Sequence, residues 1–283
     1  MSKLTPLPDQ VKEAWISSQE LRFQKKRISL YGPPGVGKTF AALTASKKFP
    51  KDLDSGAVLD DIGIFNFDDN GLGGLMEYNI EVPYVIDYSS WEPLGSWDQS
   101  KNKLWQDCIA TMKRNPQIET WIFDTLTSFD SMMTLHAESK KWVTQRGAEN
   151  KLAMYGEIGS LYKAFINSTK QVPADILFLF HSSARIIPDD PKEAAKEKAR
   201  ALAGDYDVQP SLTGNIGLQV ITANVSMEAS LVVKTEPKTK KQTRWLLPGG
   251  GEGYRGKNRW QKKLSAREEP HFQKLYAKIK GEA

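Results

Sequence analysis

Gly32-Pro33-Pro34-Gly35-Val36-Gly37-Lys38-Thr39 is the stretch on which the reading of the whole chain turns. It follows the apolar run Ile28-Ser29-Leu30-Tyr31, which reads as a short buried strand, and it opens the glycine-free, alanine-rich segment Lys38 to Lys48, which reads as a helix. Glycines at this spacing let backbone N–H groups turn inward onto phosphate oxygens, and the helix start adds the positive end of its dipole. Lys38 is then placed for the β and γ phosphates, and the Thr39 hydroxyl for Mg²⁺. Pro33 and Pro34 stiffen the turn, Val36 completes it and Phe40 flanks it, so the expected ligand of residues 32–40 is ATP with Mg²⁺.

Moving outward, Ile62 to Phe67 reads as a strand closed by the turn Asp68-Asp69-Asn70-Gly71, and Pro83 to Tyr88 as another. Asp98 to Arg114 reads as a helix with Leu104, Trp105, Cys108, Ile109 and Met112 on one face. Thr120-Trp121-Ile122-Phe123 is a buried strand ending in Asp124. A carboxylate at such a strand end is costly to bury unless a positive partner meets it, and Mg²⁺ opposite Thr39 supplies one; capping the next helix is the competing role. Phe129 to Trp142 and Ile158 to Val172 look helical, and Ile176 to Phe180 is an apolar strand ending in His181. A charged stretch, Arg185 to Gln209, follows, and Ala229–Lys234 with Thr243–Leu247 predict a C-terminal β-hairpin.

Strands alternating with helices predict an α/β fold: a mostly parallel, twisted sheet with helices on both faces. Ligands of such sheets bind beyond the carboxyl ends of the strands, so Gly32, Asp68, Asp124 and His181 are expected to converge. The expected layout is an N-terminal extension (1–27), an ATPase core (28–263, including a charged loop at 185–210 and a basic segment at 229–263) and a C-terminal tail (264–283).

The 283 residues are 40% apolar and 26% charged, which suits one α/β domain with appendages. No apolar run is long enough for a membrane span, the start Met1 to Pro6 lacks an apolar signal core, and the single cysteine, Cys108, excludes an intrachain disulfide. A cytoplasmic protein is expected. The net charge of +5 is concentrated between Lys234 and Lys263, where Lys234, Lys238, Lys240, Lys241, Arg244, Arg255, Lys257, Arg259, Lys262 and Lys263 face only Glu236 and Glu252. Such a run fits a polyanionic partner or an ordinary solvated hairpin.

Gly-Pro-Pro-Gly-Val-Gly-Lys-Thr, followed far downstream by Trp-Ile-Phe-Asp-Thr-Leu-Thr-Ser, resembles the AAA-type/RecA-like ATPases encoded by bacteriophages, a group that includes recombination proteins consisting of a RecA core alone. The resemblance runs from about Lys26 to Trp260. It implies a RecA-like P-loop NTPase core, ATP hydrolysis, oligomerisation and work on single-stranded DNA. Thr125 stands where AAA+ machines carry a catalytic glutamate, which favours the RecA-type arrangement. There the water-activating carboxylate sits at the end of an earlier strand, here Asp68 or Asp69; if the family glutamate falls on Asn70, hydrolysis is expected to be slow. His181 resembles the γ-phosphate-sensing position, and the charged loop after it a DNA-contacting loop. Tyr254 to Arg259 resembles the basic segment inserted into a neighbour's site, with Lys257 and Arg259 as the trans-acting cations of a head-to-tail ring or filament.

DNA contacts are expected from Arg146, Arg185, Lys238, Lys240, Lys241 and Arg244, with Tyr206 and Trp245 as the stacking candidates. A single-strand-binding or replication protein is a further expected partner. The competing functions are an AAA-like motor or helicase loader acting on a protein, and a P-loop kinase of a small molecule.

Overall fold

The computed structural model describes residues 25–68, 72–89, 104–139, 150–184, 192, 208–212, 215–236, 238–251 and 253–282. In chain order the elements are β1 (Arg27–Gly32), α1 (Lys38–Leu43), β2 (Ala57–Val58), β3 (Ile62–Asn66), β4 (Ile80–Glu81), β5 (Tyr84–Asp87), α2 (Leu104–Arg114), β6 (Thr120–Asp124), α3 (Leu126–Ser139) and α4 (Lys151–Thr169). They continue with β7 (Asp175–Ala184), β8 (Val208–Pro210), α5 (Asn215–Asn224), β9 (Met227–Thr235), β10 (Gln242–Pro248), β11 (Lys257–Asn258) and α6 (Phe272–Lys280).

The main sheet runs β10-β9-β1-β7-β6-β3-β5. β9, β1, β7, β6, β3 and β5 are mutually parallel, while β10 and β11 lie antiparallel to β9, and β8 to β7. β2 and β4 form a separate parallel pair. This is the mostly parallel α/β core expected. Its central strands are covered on both faces, so they read as continuous apolar runs rather than alternating ones. One face carries Phe65, Trp121, Phe123 and Phe178 beneath α2, α3, α4 and α5. The other carries Ile28, Leu30, Ile64, Ile122 and Leu179 beneath α1 and α6.

The register fixes what meets at the carboxyl end. Gly32 pairs with His181, and Asn66 pairs with Asp124. β1 and β6, which carry the two motif ends, are separated by β7.

Two expectations need correction. The helix expected from Lys38 to Lys48 ends at Leu43: the Thr44 hydroxyl donates back to the Ala41 carbonyl at 2.5 Å, a local bond that competes with the helical ladder. The strand expected to stop at Phe180 runs on to Ala184, because Ser182 to Ala184 pair with Val208 to Pro210. Residues 264–282, within the expected C-terminal tail (264–283), are packed onto the core. Leu264, Phe272, Leu275, Tyr276 and Ile279 are buried, the Phe272 N–H donates to the Thr44 hydroxyl at 2.7 Å, and the Gln273 N–H donates to the Thr44 carbonyl at 3.1 Å. The last helix is thereby fastened to the end of α1.

Candidate nucleotide site

The loop between β1 and α1 is shaped by its glycines. Gly35 and Gly37 hold φ of 73° and 96°, backbone that side chains rarely tolerate. Alternation of this kind turns successive N–H groups to one side and makes an anion-binding concavity, so the loop fits a phosphate chain. Lys38 is 6% exposed. Its ammonium donates to the Gly32 and Pro33 carbonyls at 3.0 and 2.9 Å, which curls the side chain over the loop. Burial pulls its pKa down, against the Asp124 and Asp68 carboxylates, which push it up.

The Thr39 hydroxyl donates to Asp124 Oδ2 at 2.6 Å. Adjacent ligands of an octahedral Mg²⁺, bound at ~2.1 Å each, stand about 3 Å apart, so this oxygen pair fits that ion with little movement. No group of three or more His, Cys, Asp or Glu suited to a metal occurs among the described residues. A cation held by one or two protein oxygens together with substrate phosphates and water is the habit of Mg²⁺. Asp124 is 1% exposed, and burial pushes its carboxyl up to about 6, against the pull of the Thr39 hydroxyl and Lys38. Helix capping by Asp124 receives no support: the Thr125 hydroxyl accepts from the Ser128 N–H at 3.3 Å and takes that role itself.

Asp68 follows β3, and its Oδ2 lies 3.3 Å from His181 Nε2. Burial, then Lys38, lowers the His181 pKa below its ordinary value, against the carboxylate of Asp68. The imidazole is therefore neutral at pH 7, and with Nε2 facing a carboxylate the proton sits on Nε2. The His181 backbone is clasped: its N–H donates to the Thr127 hydroxyl at 3.0 Å, its carbonyl accepts from the Ser211 N–H at 2.8 Å, and the Thr127 hydroxyl donates to the Ser211 carbonyl at 3.0 Å. Thr127 and Ser211 were not singled out from sequence; Thr127 lies three residues after Asp124 in the same motif, and that proximity was the available signal. Asn66 supports the turn, donating to Asp87 Oδ1 at 2.9 Å and accepting from the Asp68 N–H at 3.4 Å. Phe40 meets Tyr78 and Phe49 with ring centroids 5.2 and 5.4 Å apart. Tyr78 is 38% exposed, so an aromatic shelf adjoins the loop.

The structure thus gathers Gly32 to Phe40, Asp68, Asp124 and His181. Asp69, Asn70, Arg146 and Arg185 lie outside the described residues, as do Tyr206 and most of the 185–210 loop. Lys257 and Arg259 sit elsewhere. Lys257 pairs with Glu228 and Asn258 with Met227, at the amino end of the sheet and away from the chain's own phosphate loop. The Lys257 ammonium donates to the Thr222 and Ala223 carbonyls at 2.6 and 3.1 Å and closes the end of α5, where a cation complements the helix dipole. That corrects its reading as a free trans-acting cation; Arg259 is exposed. The segment is anchored by Arg255, whose Nε meets the buried Glu228 at 3.1 Å. The loop between β10 and β11 closes where Gly250 and Gly256 touch, a Cβ on Gly256 falling 1.9 Å from the Gly250 nitrogen.

Lys238, Lys240 and Lys241 are exposed at the β9–β10 turn. Arg244 lies back from them, and its Nε donates to the Val36 carbonyl at 3.0 Å. The expected DNA contact is in hydrogen-bond contact with the phosphate loop.

The AAA domain family model matches residues 24–260, and the chain belongs to that family. No curated protein matches it in sequence. Among solved structures, the flagellar accessory protein FlaH from Methanocaldococcus jannaschii aligns at 12% identity over 81% of this chain and 79% of its own, with a TM-score of 0.39. No helix among the described residues is long and apolar enough to cross a membrane.

Proposed function

We propose that this member of the AAA domain family is an ATPase that binds Mg-ATP at residues 32–40 and acts on single-stranded DNA. The observation that carries the first half is the convergence of Lys38, the Thr39–Asp124 pair and the Asp68–His181 pair at the carboxyl side of the parallel sheet, where His181 lies level with Gly32. Bound Mg²⁺ would be held by Thr39 and Asp124 and would draw charge from the phosphates. Loop N–H groups and Lys38 hold the phosphate chain. Asp68 orients water and accepts its proton. His181, neutral and clasped at its backbone, senses the terminal phosphate and passes its state to the strand that leads into the charged loop.

The DNA half rests on the exposed lysines of the β9–β10 turn, carried by the same hairpin whose Arg244 bonds to the phosphate loop. Phosphate contacts of that kind release counterions, so affinity falls steeply with salt. Trp245 is the one stacking candidate among the described residues, so sequence preference is weak. Recombination or annealing of the phage type is the process this would serve, in a head-to-tail ring or filament in which Arg259 reaches a neighbour's phosphates. Titrating a poly-dT oligonucleotide at two salt concentrations, with the ATPase rate followed in parallel, tests the reading. Salt-sensitive binding that raises the rate supports it. Weak, salt-insensitive binding with no change in rate replaces DNA with a protein partner.

A further inference from the structure

β9 keeps step with β1 as far as the pairing of Tyr31 with Ser230, and then continues to Thr235. Paired only with β10 over that length, the ribbon extends about 17 Å beyond its last pairing with β1 at the usual rise per residue. Its tip is closed by Lys240 N–H to the Glu236 carbonyl and Glu236 N–H to the Lys241 carbonyl, both 2.9 Å. Glu236, the acid of this turn, accepts from the Thr239 hydroxyl at 2.5 Å. The tip thus presents Lys238, Lys240 and Lys241 to solvent. A two-stranded ribbon is marginally stable by itself, so this element has little to hold it in one pose.

Arg244 is the tie. It stands opposite Val233, and its Nε–H···O contact with Val36 spans 208 residues of chain. A Cβ placed on Gly37 would fall 3.5 Å from Arg244 Nε, so the guanidinium rests against the last peptide before Lys38. That peptide orients the N–H groups that face phosphate. A guanidinium carries five donors in a rigid fork. Nε is committed to Val36, and the Arg244 side chain is exposed, so its outer edge can take a phosphate of a nucleic-acid backbone bidentately.

We propose that Arg244 couples the basic hairpin to the phosphate loop, so that a DNA backbone bound along Lys238, Lys240 and Lys241 and a nucleotide bound at residues 32–40 strengthen each other within one protomer. The inference rests on the nucleotide and DNA readings above. Its physical content is shared ordering: the first ligand fixes the ribbon and the Arg244 fork, and the second binds to parts already in place. Linkage then requires the two affinities to change by one common factor.

The test uses the full chain, a slowly hydrolysed ATP analogue with Mg²⁺, and a poly-dT oligonucleotide. Each dissociation constant is measured with and without the other ligand saturating. The wild-type protein should show the same tightening of both, about fivefold or more. Arg244→Ala should bring that factor to near one while both ligands still bind measurably. Arg244→Lys keeps the charge but loses the fork, and should also be uncoupled; it carries the comparison if the alanine variant does not fold. Wild-type protein that binds both ligands independently, or an Arg244→Ala or Arg244→Lys variant that keeps the full factor, overturns the coupling and leaves the two sites standing. Poly-dT that fails to bind removes the DNA reading together with the coupling, and an analogue that fails to bind removes the nucleotide reading.

Discussion

The Thr39 hydroxyl and the Asp124 carboxylate meet at 2.6 Å across 85 residues of sequence, joining the first turn of α1 to the end of β6. An alanine at either position removes one of the two oxygens that fit Mg²⁺. We expect Thr39→Ala and Asp124→Ala to lose the Mg²⁺-dependent part of nucleotide affinity, as a chelator does to the wild-type protein. Calorimetric titration with and without Mg²⁺ measures it. Unchanged Mg²⁺ dependence in both variants would remove the pair from the site.

Asp124 also sets a pH dependence. Its carboxyl, raised to about 6 against an ordinary ~4, keeps a proton in the folded protein that the unfolded chain gives up. Between those values the folded state binds more protons, so the contribution of this group to stability falls as pH rises through the window. Mg²⁺ binding needs the ionised carboxylate and should strengthen over the same interval. Asp124→Asn should flatten both profiles, measured as thermal midpoint and Mg²⁺ affinity from pH 4 to 7.5.

At the other pair, Asp68 and His181, the expected effect is on turnover. Asp68→Asn should lower kcat by on the order of 10² or more with nucleotide affinity little changed, the pattern of a group that acts on the attacking water. His181→Ala should lower turnover and also weaken the response to DNA. A wild-type kcat in Asp68→Asn would leave activation of the water to a carboxylate outside the described residues, with Asp69 the first to test.

How much of this was legible in the sequence depended on burial and range. β1, β6 and β7 were readable because strands covered on both faces are apolar throughout; Gly32 and Asp124 mark where β1 and β6 stop, while the continuation of β7 past His181 to Ala184 depends on its pairing with β8, a distant partner. α5 was missed because Gly217 and the β-branched residues of Asn215 to Asn224 weaken its helical signature. The last helix did leave a signal: Phe272, Leu275, Tyr276 and Ile279 stand at i, i+3, i+4 and i+7, the stripe of a half-buried helix, within a lysine-rich end. The contact between Arg244 and Val36 could not be read from the chain, since strand register alone brings those residues together.

That last helix should matter for stability. Phe272 is fully buried between the sheet and α1, so Phe272→Ala should cost about 3–5 kcal/mol. Because the Phe272 side chain packs α6 against α1, its loss should also loosen the hold of the backbone N–H on Thr44 at the end of α1, and nucleotide binding should weaken as well. Denaturant unfolding and an affinity measurement check both, and a loss below 1 kcal/mol would mean that α6 is only loosely attached.

The central claim is that residues 32–40 bind and turn over Mg-ATP, and the most direct test is to compare wild-type protein with Lys38→Ala in a phosphate-release assay with Mg-ATP, alongside a binding titration. The wild-type chain should bind the nucleotide and release phosphate, faster with poly-dT present, while Lys38→Ala should fold, release none above background and lose most of its affinity, because the ammonium that faces the β and γ phosphates is gone. A folded Lys38→Ala protein with wild-type turnover would contradict the account.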